Sequence, residues 1–362
     1  ARLSLRLVSI NVLSLSGATS PQEARSGGGG LMAVGRRHVI KAQLDALQIH
    51  VIGLQETRLR ESGILPDDSY WMIHTAATPE GHYGVALWLS KSRPCGTVGG
   101  RPVTFLQKDV TALVSEPRFL VVLVETAVLQ AYFAVIHGPY SADRADPPGS
   151  FWRRVATALR RVCKRPFPLV VLTDSNAALG SVPSDAVADC DAELEDAAGE
   201  AFHDFVLQEQ LWCPSTFRDR HVGPSVTYLT RGQCRLDYIA IPQSWKEARV
   251  ESQTLPSFEM VAARPDHIPV LLTVDFASVA PAPARLARVR TTLAKHGPAE
   301  VVDFGRRLAQ LPHTPWHVGV NQHLAVLQQQ LHACAHLSSE PAAAVERPRR
   351  SYVSQASLDI IH

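Results

Sequence analysis

Short apolar runs recur along this chain as far as Phe276, and several of the longest stop on a polar residue. Leu7-Val8-Ser9-Ile10 ends at Asn11, Val51-Ile52-Gly53-Leu54-Gln55 at Glu56, and Leu169-Val170-Val171-Leu172-Thr173 at Asp174, with Asn176 just beyond. Runs of this length bounded by turn residues predict buried strands. The pattern places strands at about 5–12, up to 56, and at 70–75, 83–90, 110–114, 119–126, 130–136, 169–173, 225–228, 236–241, 250–254 and 268–276. Helical spacing appears between them: Val39, Ile40, Leu44 and Leu47 share a face over 36–48, and Phe151, Val155, Leu159 and Val162 share another. A third helix is expected around Phe202, Phe205 and Leu211. Strands in two groups with helices between predict an α/β (α+β) domain, with two packed, mainly antiparallel sheets flanked by helices and polar residues gathered at one edge.

The pattern changes after the last strand. Pro281-Ala282-Pro283-Ala284 ends the domain, helical patterns follow at 299–310 and 316–337, and a Pro/Ala/Arg linker runs over 341–350. An amphipathic helix begins at Ser354 and is cut off at His362, so the chain reads as a piece of a longer polypeptide. Two polar stretches inside the first domain read as loops. Gly27 to Gly30 lack the Gly-Lys-Ser/Thr ending of a phosphate-binding loop and fit a flexible insertion, and Asp185 to Asp204, with eight acids, reads as a solvated insertion.

Composition narrows the class. At 362 residues and 46% hydrophobic content the chain can bury a full core. Its six cysteines form no Cys-x-x-Cys pair, which argues against a zinc site or disulfide framework and for reduced thiols in an intracellular protein. No run approaches the roughly 18 apolar residues of a membrane span, and the N-terminus lacks a signal pattern. The net charge of +2 is uneven, with 27 Lys+Arg against 29 Asp+Glu through residue 278 and 9 against 5 beyond. Affinity for a polyanion must therefore come from local patches. Candidates are Arg36-Arg37, Arg153-Arg154, Arg160-Arg161 with Lys164-Arg165, and Arg347 with Arg349-Arg350.

The chemistry lies in the polar strand ends. Arg235-Leu236-Asp237-Tyr238-Ile239 offers an acid, and Asp266-His267-Ile268-Pro269 offers an Asp-His pair about thirty residues on. An acid that orients an imidazole beside further carboxylates is equipment for activating water, and it points to hydrolysis.

In order along the chain, Ser9-Ile10-Asn11, Leu54-Gln55-Glu56-Thr57, Tyr83-Gly84-Val85-Ala86, Ile136-His137-Gly138-Pro139, Thr173-Asp174-Ser175-Asn176, Val226-Thr227-Tyr228, Arg235-Leu236-Asp237-Tyr238 and Asp266-His267-Ile268-Pro269 resemble the endonuclease/exonuclease/phosphatase superfamily. The resemblance implies a DNase I-like four-layer sandwich over 1–278, a linker at 279–298, a helical connector at 299–340, and a basic linker with a truncated helix at 341–362. It implies Mg²⁺, with Mn²⁺ as a substitute, held by Glu56, Asn11 and Asp266, since hard oxygen ligands suit such a cation. Asp237 would orient His267, the general base or phosphate contact; Asp174 would position or activate the water; Asn11, Asn176 and, more weakly, Arg118 would bond phosphate oxygens. His137 would complete the catalytic set.

Three departures bear on activity. His137 stands where the abasic-site enzymes have Tyr, which counts against abasic specificity; Thr173-Asp174-Ser175-Asn176 replaces Gly-Asp-Phe/Leu-Asn; and Pro265 replaces the Ser before Asp-His. The stretch Arg347-Pro348-Arg349-Arg350-Ser351-Tyr352 followed by Ser357-Leu358-Asp359-Ile360-Ile361 resembles the connector after the endonuclease domain of non-LTR retrotransposon polyproteins. The reading is a Mg²⁺-dependent endonuclease that nicks DNA to leave a 3′-hydroxyl primer for a reverse transcriptase, meets element RNA through the rest of the polyprotein, works in the nucleus and needs no membrane. The alternatives are an impaired member kept as a nucleic-acid or protein-binding module, or another phosphodiesterase or phosphatase of the same fold.

Overall fold

The computed structural model describes residues 2–15, 35–230, 232–261, 266–276, 298–311 and 320–334. Contacts divide the chain into two compact units, Ala1–Ala284 and Arg285–His362. The strands of the first unit are β1 (Arg2–Asn11), β2 (Val51–Gln55), β3 (Gly63–Pro66), β4 (Tyr70–His74), β5 (Val85–Ser90), β6 (Gly96–Val98), β7 (Arg101–Val103), β8 (Val110–Glu116), β9 (Phe119–Glu125), β10 (Gln130–His137), β11 (Leu169–Asp174), β12 (Leu211–Trp212), β13 (His221–Val222), β14 (Asp237–Pro242), β15 (Arg249–Thr254) and β16 (Val270–Phe276). Its helices are α1 (Arg36–Ala46), α2 (Pro148–Val162) and α3 (Ala197–Gln208). The second unit carries α4 (Pro298–Ala309) and α5 (Val320–Cys334).

One sheet runs β13-β15-β16-β1-β2-β5-β4-β3, with the small β6–β7 ribbon joined to β1, and the other runs β12-β14-β11-β10-β9-β8. Pairing is antiparallel except for β1–β2, β10–β11 and β13–β15. The two-residue period of a strand explains how one sequence serves two interfaces. Leu3, Leu5, Leu7 and Val51 belong to the cluster that includes Val135, Leu172 and Ile239 of the facing sheet. Their neighbours Val8, Ile10, Ile52 and Leu54 pack with Ile40 and Leu44 of α1. On the far side, Phe151 and Trp152 of α2 and Phe202 and Phe205 of α3 cover the second sheet. The layers are therefore helix, sheet, sheet and helix.

The sheets approach closely near the polar edge. A Cβ on Gly53 would lie 2.5 Å from the Leu172 Cβ, so glycine is the residue that lets β2 and β11 meet. Gln55, two residues on, donates across the gap to the Leu172 carbonyl at 3.2 Å.

Several expectations change. Residues 225–228 make only isolated bridges, Tyr228 to Cys234 and to His267, and the Thr227 hydroxyl accepts from the Leu236 and Asp237 amides. The acidic stretch 185–204 is solvated only in part: most of its acids are exposed, but Ala186, Val187, Cys190 and Ala198 are buried, and Glu193, Glu195 and Asp196 accept from backbone amides. Asp196 caps α3 through the Ala198 and Gly199 amides, and Glu193 accepts from Arg235 N. Helix α3 stops at Gln208 and Leu211 opens β12, since Gln210 adopts a left-handed φ of 55°. The short edge strands β3, β6, β7 and β13 were not expected from the pattern. Arg36 is no surface charge: it is buried and donates to the carbonyls of Met260 and Ser14. All six cysteines are free thiols, and among the described residues no helix is long and apolar enough to cross a membrane. Gly27 to Gly30, Pro265 and everything beyond Cys334, including the basic Arg347–Arg350 stretch, lie outside the described residues.

Candidate active site

Strand register builds the site. His137 pairs with Asp174 across β10–β11, and Asp174 with Asp237 across β11–β14, so three polar residues stand in one row at the edge of the second sheet. Asn11 and Gln55 pair at the end of β1–β2 in the facing sheet, and Glu56 follows. Asp266 and His267 come just before β16. His137 and His267 thus reach the site from opposite sheets.

Asp174 is the hub. Its Oδ2 accepts from Asn11 Nδ2 at 2.9 Å and lies 3.8 Å from Nε2 of both His137 and His267, while its Oδ1 accepts the Asn176 amide at 3.0 Å. His267 Nδ1 meets Asp237 Oδ2 at 2.9 Å, and the Tyr228 ring lies 5.0 Å from the imidazole. Glu56 Oε1 accepts from Asn11 Nδ2 at 3.1 Å and lies 3.7 Å from His137 Nε2; its Oε2 is bonded by Arg58 at 2.7 Å.

The electrostatics divide the imidazoles. Burial pulls His267 down, but the carboxylates of Asp237, Asp174 and Asp266 outweigh it and raise its pKa to about 10. Burial wins at His137, which is lowered despite Asp174 and Glu56. Burial and the neighbouring Asp237 raise the Asp174 carboxyl, partly offset by the two histidines and Asn11. Burial also pushes Glu56 up, yet His137, Arg58 and Asn11 together hold it below the ordinary carboxylate range. Asp266 is raised, chiefly by burial, and feels the charges of His267, Glu56 and Asp174.

All nine residues expected from the sequence lie around this edge, but the three expected phosphate contacts are engaged within the protein. Asn11 turns its amide N–H groups toward the carboxylates and its oxygen accepts the Leu13 amide at 3.0 Å; it positions Glu56 and Asp174. Arg118 donates to the His137 carbonyl at 2.9 Å, pairs with Asp143 and Asp146, and lies against the Tyr83 and Phe151 rings. Asn176, at a left-handed φ of 51°, donates to the Gly138 carbonyl at 2.9 Å. Missed were Arg58, two residues past Glu56, and the supporting roles of Thr227 and Tyr83, whose ring meets His137 edge-on at 5.5 Å.

An oxygen-ligated cation fits this rim. Asp266 Oδ1 is buried with no hydrogen-bond partner among the described residues, and Glu56 keeps part of its carboxylate exposed. The tightest grouping of potential ligand atoms is instead Asp174, Asp237 and His267, within 4.8 Å of one another. There the Nδ1 atom is already spent on Asp237 and every side chain is deeply buried. Mg²⁺ retains several waters, so the shallower Glu56 and Asp266 would suit it better.

No family model matches the sequence and no curated protein does. Solved structures do. An AP endonuclease, LMAP, from Leishmania major aligns at TM-score 0.51 and 13% identity over 76% of this chain and 88% of its own. The endonuclease domain of TRAS1, a telomere-specific non-LTR retrotransposon, aligns at 0.47 and 13% over 75% and 98%. The Xenopus laevis APE2 catalytic domain aligns at 0.47 and 17% over 76% and 94%. The layered sandwich and the likeness to the Leishmania enzyme define the DNase I-like fold of the endonuclease/exonuclease/phosphatase proteins.

Proposed function

We propose that this chain is a divalent-metal-dependent phosphodiester hydrolase acting on DNA, an endonuclease that leaves a 3′-hydroxyl end. The carrying observation is the Asp237–His267–Asp174 chain, with contacts of 2.9 and 3.8 Å at the buried edge where two sheets meet.

Asp237 holds Nδ1 of His267, and three carboxylates keep this imidazole charged at neutral pH. With Nδ1 held by Asp237, its Nε2 is suited to donate to a phosphate oxygen. Asp174, raised by burial, is suited to accept a proton from the attacking water, a role worth roughly 10²–10⁴ in rate. Neutral His137 can donate to a phosphate or leaving oxygen, with Arg118 fixing its strand. Asn11 and Asn176 hold Glu56 and Asp174 in place. Glu56 and Asp266 would hold Mg²⁺ or Mn²⁺; such a cation offsets phosphate charge and stabilises a leaving alkoxide.

The retrotransposon context rests on residues 341–362 and on the order of the site motifs. It carries with it a nuclear location, a downstream reverse transcriptase and contact with element RNA. His137 in place of Tyr supports cutting of intact duplex. The test is supercoiled plasmid with Mg²⁺: the product should be nicked circles whose ends a DNA polymerase extends directly. Ends that need phosphatase treatment first would contradict the polarity, and no nicking would return the chain to a binding module.

A further inference from the structure

The turn after β2 holds two non-glycine residues in the left-handed region, Glu56 at φ 53° and Arg58 at φ 52°. Each such residue costs about 1–3 kcal/mol and persists only where its surroundings impose it. Here the surroundings are visible. Thr57 and Arg58 donate to the Gly84 and Tyr83 carbonyls at 2.9 Å each, and Leu15 donates to Thr57 at 2.9 Å. Gly84 itself has φ 87°, and a Cβ on it would lie 2.7 Å from Thr57 Oγ1 and 2.9 Å from Arg58 N. The product of this clamped turn is a bond between residues two apart, Arg58 Nη2 to Glu56 Oε2 at 2.7 Å.

That bond sits beside the carboxylates of the site. Glu56, Asp174, Asp237 and Asp266 converge, and Glu56 Oε1 is already taken by Asn11. Arg118 is committed to Asp143, Asp146 and the His137 carbonyl. The Arg58 side chain is 35% exposed against 18% for Glu56, so the guanidinium covers the carboxylate from the solvent side.

We infer that Arg58 is a stand-in cation: it occupies Glu56 Oε2 until a divalent ion arrives, then turns its freed guanidinium to a substrate phosphate oxygen. Arg58 thus sets metal affinity and couples metal loading to DNA binding. The inference rests on the metal-dependent reading above. It assigns a positioning and phosphate-binding role to a residue whose fork geometry suits both carboxylate and phosphate.

The probe is Mn²⁺ alone, titrated calorimetrically into the full chain without DNA, for the unmodified protein, Arg58→Ala, Arg58→Gln and Glu56→Gln. Removing the competitor should tighten Mn²⁺ binding about tenfold in both Arg58 variants, at the low end of what groups around metal ligands contribute, whereas Glu56→Gln should lose it. In an Asp174→Asn background, which holds DNA uncut, Mn²⁺ should strengthen duplex binding, and Arg58→Ala should remove most of that gain. Equal or weaker Mn²⁺ binding in both Arg58 variants, with the unmodified protein binding the ion, overturns the inference and leaves the proposed function standing. No binding by any of the four proteins overturns both.

Discussion

His137 and His267 are both almost fully buried and both hold Nε2 3.8 Å from the same Asp174 oxygen, yet they are driven in opposite directions. The difference lies on the other side of each ring. His267 Nδ1 rests on Asp237, and His137 Nδ1 is buried with no hydrogen-bond partner among the described residues, while Arg118 adds positive charge nearby. A third imidazole shows what burial does without carboxylates in contact. His50, just before β2, is pushed down to about 4, chiefly by burial, with its Nδ1 facing the Arg6 amide and its Nε2 the Pro94 carbonyl. Proximity to Asp174 therefore does not make a histidine cationic; a carboxylate on the far nitrogen does.

The comparison breaks most severely at its shared partner. Asp174→Asn removes the proton acceptor and the oxygen between the rings, and cleavage should fall by about 10³–10⁴, within the range for a general base; single-turnover rates at saturating Mg²⁺ measure it. A loss under tenfold would move the base elsewhere. Asp237→Asn keeps the shape but removes the charge behind His267, and should cost about 10²–10³ in rate. In the metal-free protein its imidazole, followed by NMR titration, should drop well below about 10. A raised pKa in the folded state stabilises below the unfolded value of about 6.5 and is lost as pH rises toward 10. The unmodified protein should accordingly lose stability over that alkaline window, and Asp237→Asn should not.

His50 gives the opposite slope. Its folded pKa is depressed, so the unfolded chain binds more protons between about 4 and 6.5, and stability must fall as pH drops through that window, by about 3 kcal/mol in all. Urea midpoints at pH 7 and pH 4.5 test this, and His50→Gln should flatten the difference. A gap that survives the substitution would assign the acid sensitivity to other groups. The mildest change is His137→Tyr, expected to slow cleavage about tenfold or less while deleting an imidazole ionisation from the acid limb of the pH–rate profile. The limb should lie below 6.5, because His137 is lowered. An unchanged profile would show that this ring does not titrate in catalysis.

Much of this was legible in the sequence because strand ends are local. The runs stopping at Asn11, Glu56 and Asp174 mark the places where β1, β2 and β11 leave the core, and the polar edge follows once sheets form. What local reading missed depends on partners distant in sequence. Arg36 and Arg235 look like surface charges but satisfy carbonyls of Met260, Ser14, Ser215 and Cys190 inside the fold. Glu193 looks like one more solvated acid of the 185–204 stretch because its donor, Arg235 N, lies some 40 residues away. Asn11 was recognised as a site residue, but which of its amide atoms faces the carboxylates depends on the Leu13 amide. The opposite behaviour of two histidines could not be read from composition or spacing, because it is set by which nitrogen a carboxylate reaches.

The most direct test of the central claim is plasmid nicking by the purified chain in Mg²⁺, in EDTA, and in Mg²⁺ with Glu56→Ala and His267→Ala. Nicking that requires the metal, disappears with Glu56→Ala and falls by about 10² or more with His267→Ala is the predicted result. Equal nicking in EDTA, or full activity in both variants, would contradict a metal-dependent hydrolase at this edge of the sandwich.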